Sequence, residues 1–162
     1  MALPFRVEVI RSSRRRKTVS ARLVGDVVRV HMPAWMSKAD EEHYVSHLVD
    51  RIARQQQREA VDVMERATKL AARYDLPAPA SVRFVSNQNS LWGSCTIDSR
   101  DIRISDRLSS FPAWVLDYVL VHELAHLAVA NHSKRFWSLV NRYPRAERAR
   151  GFLIAKGYEE KA

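Results

Sequence analysis

Cysteine is almost missing from this 162-residue sequence: Cys95 is the only one. No internal disulfide can form, zinc fingers built on paired cysteines are excluded, and the chain suits a reducing compartment. Internal repeats and low-complexity tracts are also lacking. With 46% apolar and 28% charged residues, the balance is globular and excludes disorder and collagen-like repeats. Nor is there a long hydrophobic run free of ionisable groups. The most apolar window, residues 112–130, carries Asp117, His122, Glu123 and His126, which is wrong for a lipid-facing helix. The first 17 residues place a cationic cluster after a short apolar start, with no small-residue cleavage site, so no secretory signal is read there. The expectation is a soluble cytoplasmic protein with no membrane partner. Acidic residues are in deficit, 18 against 27 basic ones, for a net charge of +9. That excess attracts phosphate-rich or acidic partners at long range but does not specify a fold. It leads us to expect weak, sequence-independent binding of nucleic acid through Arg14, Arg15, Arg16, Lys17 and the basic carboxyl-terminal helices, falling with salt.

Apolar and charged residues alternate over 5–9, 19–23 and 28–32, the period of strands, and Gly25-Asp26 supplies turn chemistry between the second and third. Arg11 to Lys17 reads as a solvated hairpin loop between the first two. Ser37 fits a helix cap, with Asp40, Glu41 and Glu42 in the first turns. The chain then lacks Gly and Pro until after Tyr74, with an exposed section or break at Gln55-Gln56-Gln57. Short strands follow at 82–85, 92–97 and 102–104. Pro112 in a first turn opens a helix reaching about Ala130, stopped by Asn131. Ser133 caps another helix, Lys134 to Arg142, and Pro144 precedes a last basic helix ending near Gly157. The order of elements predicts one α+β domain.

The chemistry is concentrated in His122-Glu123-Leu124-Ala125-His126. Histidines four apart on a helix lie one turn above each other, so both imidazoles reach one ion. The glutamate between them stands beside the metal, where it can hold a water and take its proton. The surrounding helix is strongly apolar, and burying such a trio without partners would cost several kcal/mol. A catalytic zinc needs a third protein ligand and an open position. His132, six residues after the second histidine, fits that role, held at a junction of two helices. The competing candidate, Glu147, reads better as a surface carboxylate paired with Arg150 one turn on. A third histidine is also where metzincins carry one, but their glycine position is Val129 here and no methionine follows to make their Met-turn.

Other candidates fall away. His43 and His47 form a second pair at helical spacing, but Tyr44 stands in the glutamate's place, and Asp40, Glu41, Glu42 and Asp50 mark a solvated face. His31, alone in a strand, has no role, and Cys95 reads as inert packing rather than a nucleophile. Tyr118, one turn before His122, reads as a packed tyrosine that could face the site.

Trp92-Gly93-Ser94-Cys95, Ile102-Arg103-Ile104-Ser105, the helix from Pro112 through Leu127, and Asn131-His132-Ser133-x-x-Phe136-Trp137 together resemble the YgjP-like metallopeptidase family, related to the SprT-like and WLM zinc proteases. Arg11-Ser12-x-Arg14-Arg15-x-Lys17 and Val30-x-x-Pro33 extend the resemblance over nearly the whole chain. It implies a compact zincin-like single domain over 1–162. This would comprise an amino-terminal antiparallel β region (1–35), a helical part (37–75) and a zincin core (81–157) with a small central sheet, the active-site helix and carboxyl-terminal helices. It implies Zn2+ on His122, His126 and His132, with Glu123 as catalytic base. Leu91 departs from the basic residue often found before the tryptophan, and Ser105 lies where an asparagine is usual nearby. The Trp92 block would lie beside the active-site helix, where a strand of a zincin commonly pairs with an extended peptide. Gly93 would permit close backbone approach there, or mark a bulge in a strand whose Trp92 and Cys95 are core.

The expected function is zinc-dependent hydrolysis of peptide bonds, Glu123 assisting attack by a water held at the metal. Two readings of other classes compete: a metal-dependent hydrolase of nucleotides or phosphoesters, and a basic nucleic-acid-associated module with structural zinc. Proteolysis against phosphate release separates the first two. The third leaves the glutamate and the open coordination position unexplained.

Overall fold

The computed structural model describes residues 5–159, and the chain divides into two compact units, residues 1–57 and 58–162. The first holds strands β1 (Arg6–Ser12), β2 (Ser20–Val24) and β3 (Val27–Pro33) in the order β1-β3-β2. Val28, Val30 and Met32 of β3 are fully buried, and the strand with the most apolar inner face takes the centre. Their side pairs with Val49, Leu48 and Ile52 of helix α1 (Lys38–Ala60). Gly25, at φ +64, makes the tight turn between β2 and β3.

The pairing departs from the antiparallel region expected for residues 1–35. β2 and β3 are antiparallel, but β1 runs parallel to β3. Residues 13–19 are therefore a connection from one edge of the sheet to the other, not a hairpin loop. The physical reason is that alternation identifies a strand and its buried face but carries no information on its neighbour. Ser37 caps α1, its Oγ accepting from the Asp40 N–H at 3.1 Å. Arg11 bonds Glu41 and the carbonyls of Ala34 (3.0 Å) and Met36 (2.7 Å), fixing the entry to the helix.

α1 continues through Gln55–Gln57, and the break comes later. Asp62 caps helix α2 (Val63–Tyr74), accepting from the Glu65 N–H at 2.9 Å. The pattern Asp62-x-x-Glu65 is the start signal that the glutamine run obscured.

In the second unit β4 (Ser81–Val85), β5 (Gly93–Thr96) and β6 (Asp101–Ser105) form a sheet of order β4-β6-β5. β6, with Ile102 and Ile104 fully buried, is central; it runs parallel to β4 and antiparallel to β5. A 3-10 turn, Asp106–Ser110, leads to Pro112 and helix α3 (Ala113–His126). α3 is buried on most sides: Val115, Leu120, Val121, Leu124 and Ala125 are inaccessible. Arg66 of α2 grips Asp117 of α3 with two bonds of 2.5 and 3.1 Å, a fork that fixes the helix against its neighbour. α3 ends at His126, four residues before the expected stop. The N–H groups of Leu127 and Ala128 bond back to Leu124 and Ala125, both at 3.1 Å, tightening the last turn. Ser133 caps α4 (Lys134–Val140), accepting from the Phe136 N–H at 3.4 Å, and α5 (Ala146–Glu159) follows. Among the described residues no helix is long and apolar enough to cross a membrane.

Candidate active site

α3 carries His122 and His126 on one face, ring centroids 4.9 Å apart. The early end of the helix returns the chain so that His132 meets them: its Nε2 lies 3.1 Å from Nε2 of His126 and 3.3 Å from Nε2 of His122. Ligand nitrogens on a tetrahedral ion at about 2.0–2.1 Å stand about 3.3–3.4 Å apart, and both separations from His132 are close to that spacing. The Nδ1 of His126 lies 3.2 Å from the Val129 carbonyl. Donation there places the proton on Nδ1 and leaves the Nε2 lone pair facing the other two rings. These are the described residues whose donor atoms gather closely enough to hold a metal ion, all within 4.8 Å.

Packing holds the rings in place. Phe136, fully buried, stacks on His126 at 4.3 Å and meets His122 and His132 edge-on at 4.9 and 4.8 Å. Trp137 stacks on His132 at 5.6 Å. The Ser133 cap thus does more than start α4: it presents two consecutive aromatic residues to the three imidazoles. Burial, the neighbouring histidines and Arg150 pull His122 down to about 3. Burial also lowers His126. Both are neutral near pH 7, the form that offers a lone pair to a cation.

Glu123 is 6% exposed, and burial pushes its carboxyl up to about 7. It faces the start of β5. A Cβ on Gly93 would stand 2.9 Å from Glu123 Oε1 and 3.0 Å from both its Cγ and Val119 Cγ1. Close approach, not a bulge, accounts for this glycine. The space in front of Glu123 is a cleft of about 390 Å³ bounded by Trp92, Gly93, Tyr118, Val119 and His122, by Arg150 and Leu153, and by the exposed Leu91 and Ile154. Arg107 lies over the Trp92 ring at 4.2 Å and donates to the carbonyls of Gln88 (3.2 Å) and Leu91 (3.3 Å), pinning the loop before β5. Tyr118 both packs and lines the cleft, its ring 6.1 Å from His122 and its hydroxyl pushed by burial up to about 12.

None of the rejected candidates joins the trio. Glu147 is exposed and accepts from Arg150 at 3.2 Å. His43 and His47 meet edge-on at 4.6 Å on the outside of α1, and no third donor joins them among the described residues. Burial raises the Cys95 thiol to about 11, helped by the charge of Glu123. Sequence reasoning paired Arg150 with Glu147 but missed its place on the cleft, the aromatic support of the triad and the contact of Gly93 with Glu123. The two aromatics after the Ser133 cap and a glycine opening a strand were the available signals.

A model of the YgjP-like metallopeptidase domain matches residues 29–153, taking in β5, α3 and α4. A search of curated proteins returned no match. Among solved structures, the chain is similar to the metallopeptidase zymogen jannalysin of Methanocaldococcus jannaschii, 16% identical with a TM-score of 0.51, over 59% of this chain and 97% of that one. It also matches the metallopeptidase zymogen abylysin of Pyrococcus abyssi at 24% identity and a TM-score of 0.48, over 59% and 91%. The likeness to jannalysin is one of fold. The domain match covers most of the sequence and the convergent histidines within it, and the chain belongs to the YgjP-like metallopeptidase family.

Proposed function

We propose that this protein is a zinc-dependent peptidase in which His122, His126 and His132 hold the ion and Glu123 is the general base. The observation that carries the reading is the meeting of three imidazole Nε2 atoms, at 3.1 and 3.3 Å, beside a buried glutamate that opens on a cleft. All-nitrogen donors in a set of three, with one side open, suit zinc in a hydrolytic site. When bound, the ion supplies Lewis acidity toward the scissile carbonyl and toward water.

The chain's own residues do the rest. Glu123 orients the attacking water and accepts its proton, then passes it to the leaving amine. A dication nearby favours the carboxylate over the acid, countering the burial that pushes this group up to about 7. Gly93 leaves the carboxylate its room. β5 lies at an edge of its sheet, so an extended peptide can add there as a further strand, with Trp92, Leu91 and Ile154 offering apolar contact to its side chains.

The test is Glu123→Gln, compared with wild type on any hydrolysed peptide at matched zinc occupancy. The amide keeps the shape and the hydrogen bonds but cannot take the proton, so kcat should fall about 10²–10⁴-fold with KM little changed. Unchanged turnover in the zinc-replete variant would overturn the mechanism. Phosphate release from nucleoside triphosphates, abolished by chelator and by the same variant, with no peptide cleaved, would move the activity to the nucleotide-hydrolase reading.

A further inference from the structure

The first unit carries a charged surface that peptide hydrolysis leaves unused. One face of its sheet is covered by α1; on the other, Arg22 stands opposite Arg29 and Ser20 opposite His31. Arg15 reaches back from the connection between β1 and β2, donating to Ser20 Oγ at 3.2 Å and Thr18 Oγ1 at 3.4 Å. Arg15, Ser20, Arg22, Arg29 and His31 line a cleft of about 280 Å³. Like charges directly opposed across an antiparallel pair repel, and Glu8 answers only Arg29, at 2.8 Å. Among the described residues Arg14, Arg16, Lys17 and Arg22 have no carboxylate partner. Cations are concentrated there without internal compensation.

An aromatic ring adjoins them. Trp35 is 67% exposed, yet its indole N–H donates to the Arg16 carbonyl at 3.0 Å. The ring is held in position but adds nothing to the core of the unit, which is built from Val28, Val30, Met32, Met36 and Val49. A fixed ring in water, hydrogen-bonded to the backbone of the basic connection 13–19, matches one ligand chemistry well. Planar guanidiniums pair with phosphate oxygens in a fork, and an exposed ring stacks on a base that is not already stacked in a duplex. An acidic peptide would use the charges and leave the ring idle.

We propose that this sheet face and the connection 13–19 form a binding site for single-stranded nucleic acid, with phosphates on Arg15, Arg22 and the Arg14–Lys17 cations and a base on Trp35. The site lies in the first unit and is independent of the peptidase reading, so Glu123→Gln should bind nucleic acid as the wild type does.

The experiment is fluorescence anisotropy of a labelled oligothymidylate, about 20 nucleotides long, titrated with full-length zinc-loaded protein across about 50–200 mM salt. Engaging four or five phosphates predicts a slope of log affinity against log salt of about −3 to −3.5. Arg15→Gln with Arg22→Gln should make that slope shallower by about 1.4. Trp35→Ala should weaken binding about 5- to 150-fold, and Trp35→Phe should retain most of it. Lys69→Gln, which removes a charge on α2, should leave affinity unchanged, and circular dichroism confirms that each variant is folded. Equal affinity for duplex DNA with no effect of Trp35→Ala would overturn the proposal in favour of simple charge attraction. So would failure to bind oligothymidylate while polyglutamate or anionic phosphatidylserine vesicles bind through the same arginines.

Discussion

The two units repeat one local arrangement with different results. In each, the first strand runs parallel to the third and the second antiparallel to it, the third strand is central, and a helix beyond the sheet carries two histidines four residues apart. The ring separations are nearly the same, 4.6 Å for His43 and His47 and 4.9 Å for His122 and His126. Helical spacing therefore does not make a metal centre. α1 shows its pair to water, among acids already engaged with Ser37 and Arg11. α3 buries most of its surface, sets a glutamate between the histidines and ends where the chain can deliver His132. Burial, a third donor and an aromatic support separate a candidate centre from a pair.

The comparison can be broken most directly by metal binding. His122→Ala or His126→Ala should abolish stoichiometric zinc, while the double variant His43→Ala/His47→Ala should leave it whole, both read by elemental analysis after dialysis. Full zinc retention without the α3 pair would erase the distinction between the units. The third donor comes next. His132→Ala should weaken zinc affinity by more than the ~10–100-fold typical of an outer-shell partner, measured by competition with a chromophoric chelator. Glu147→Ala removes only an exposed ion pair with Arg150 and should change nothing in that assay. Opposite behaviour of these two variants would make the ligand a glutamate.

The histidine-glutamate motif was legible because every residue in it is local: spacing on a helix decides which side chains share a face. The caps at Ser37 and Ser133 were legible for the same reason. What depends on partners distant in sequence was not. Nothing in the alternation of residues 5–33 says that β1 joins β3 in parallel, since period two fixes faces and not neighbours. α3 was expected to run on to about Ala130 because Asn131 is the first residue suited to stop it. In the fold Leu127–Ala130 instead turn back, offering the Val129 carbonyl to His126. The contact of Gly93 with Glu123 joins positions far apart in sequence: a glycine opening a strand signals a close approach but does not name the partner.

Two glycines sharpen the contrast at smaller amplitude. Gly93→Ala places a methyl group 2.9 Å from Glu123 Oε1, so zinc should stay bound while peptide turnover falls, approaching the deficit of Glu123→Gln in kcat. Gly25→Ala meets no atom but must hold φ +64, which costs about 1–2 kcal/mol in chemical denaturation and should leave turnover per folded molecule unchanged. The smallest effect concerns Cys95. With its thiol raised to about 11, little thiolate exists near neutrality. Iodoacetamide should modify it slowly at pH 7 and faster as pH rises toward 11, the direction expected for a raised pKa.

The central claim is that one zinc sits on three imidazoles in the second unit. X-ray absorption at the zinc edge tests it most directly, on wild type and on His132→Ala. The account predicts a wild-type first shell of nitrogen and oxygen at about 2.0–2.1 Å with the multiple-scattering signature of three imidazoles, reduced to two in the variant. A shell containing sulfur, or one with the same imidazole count in His132→Ala, would contradict it.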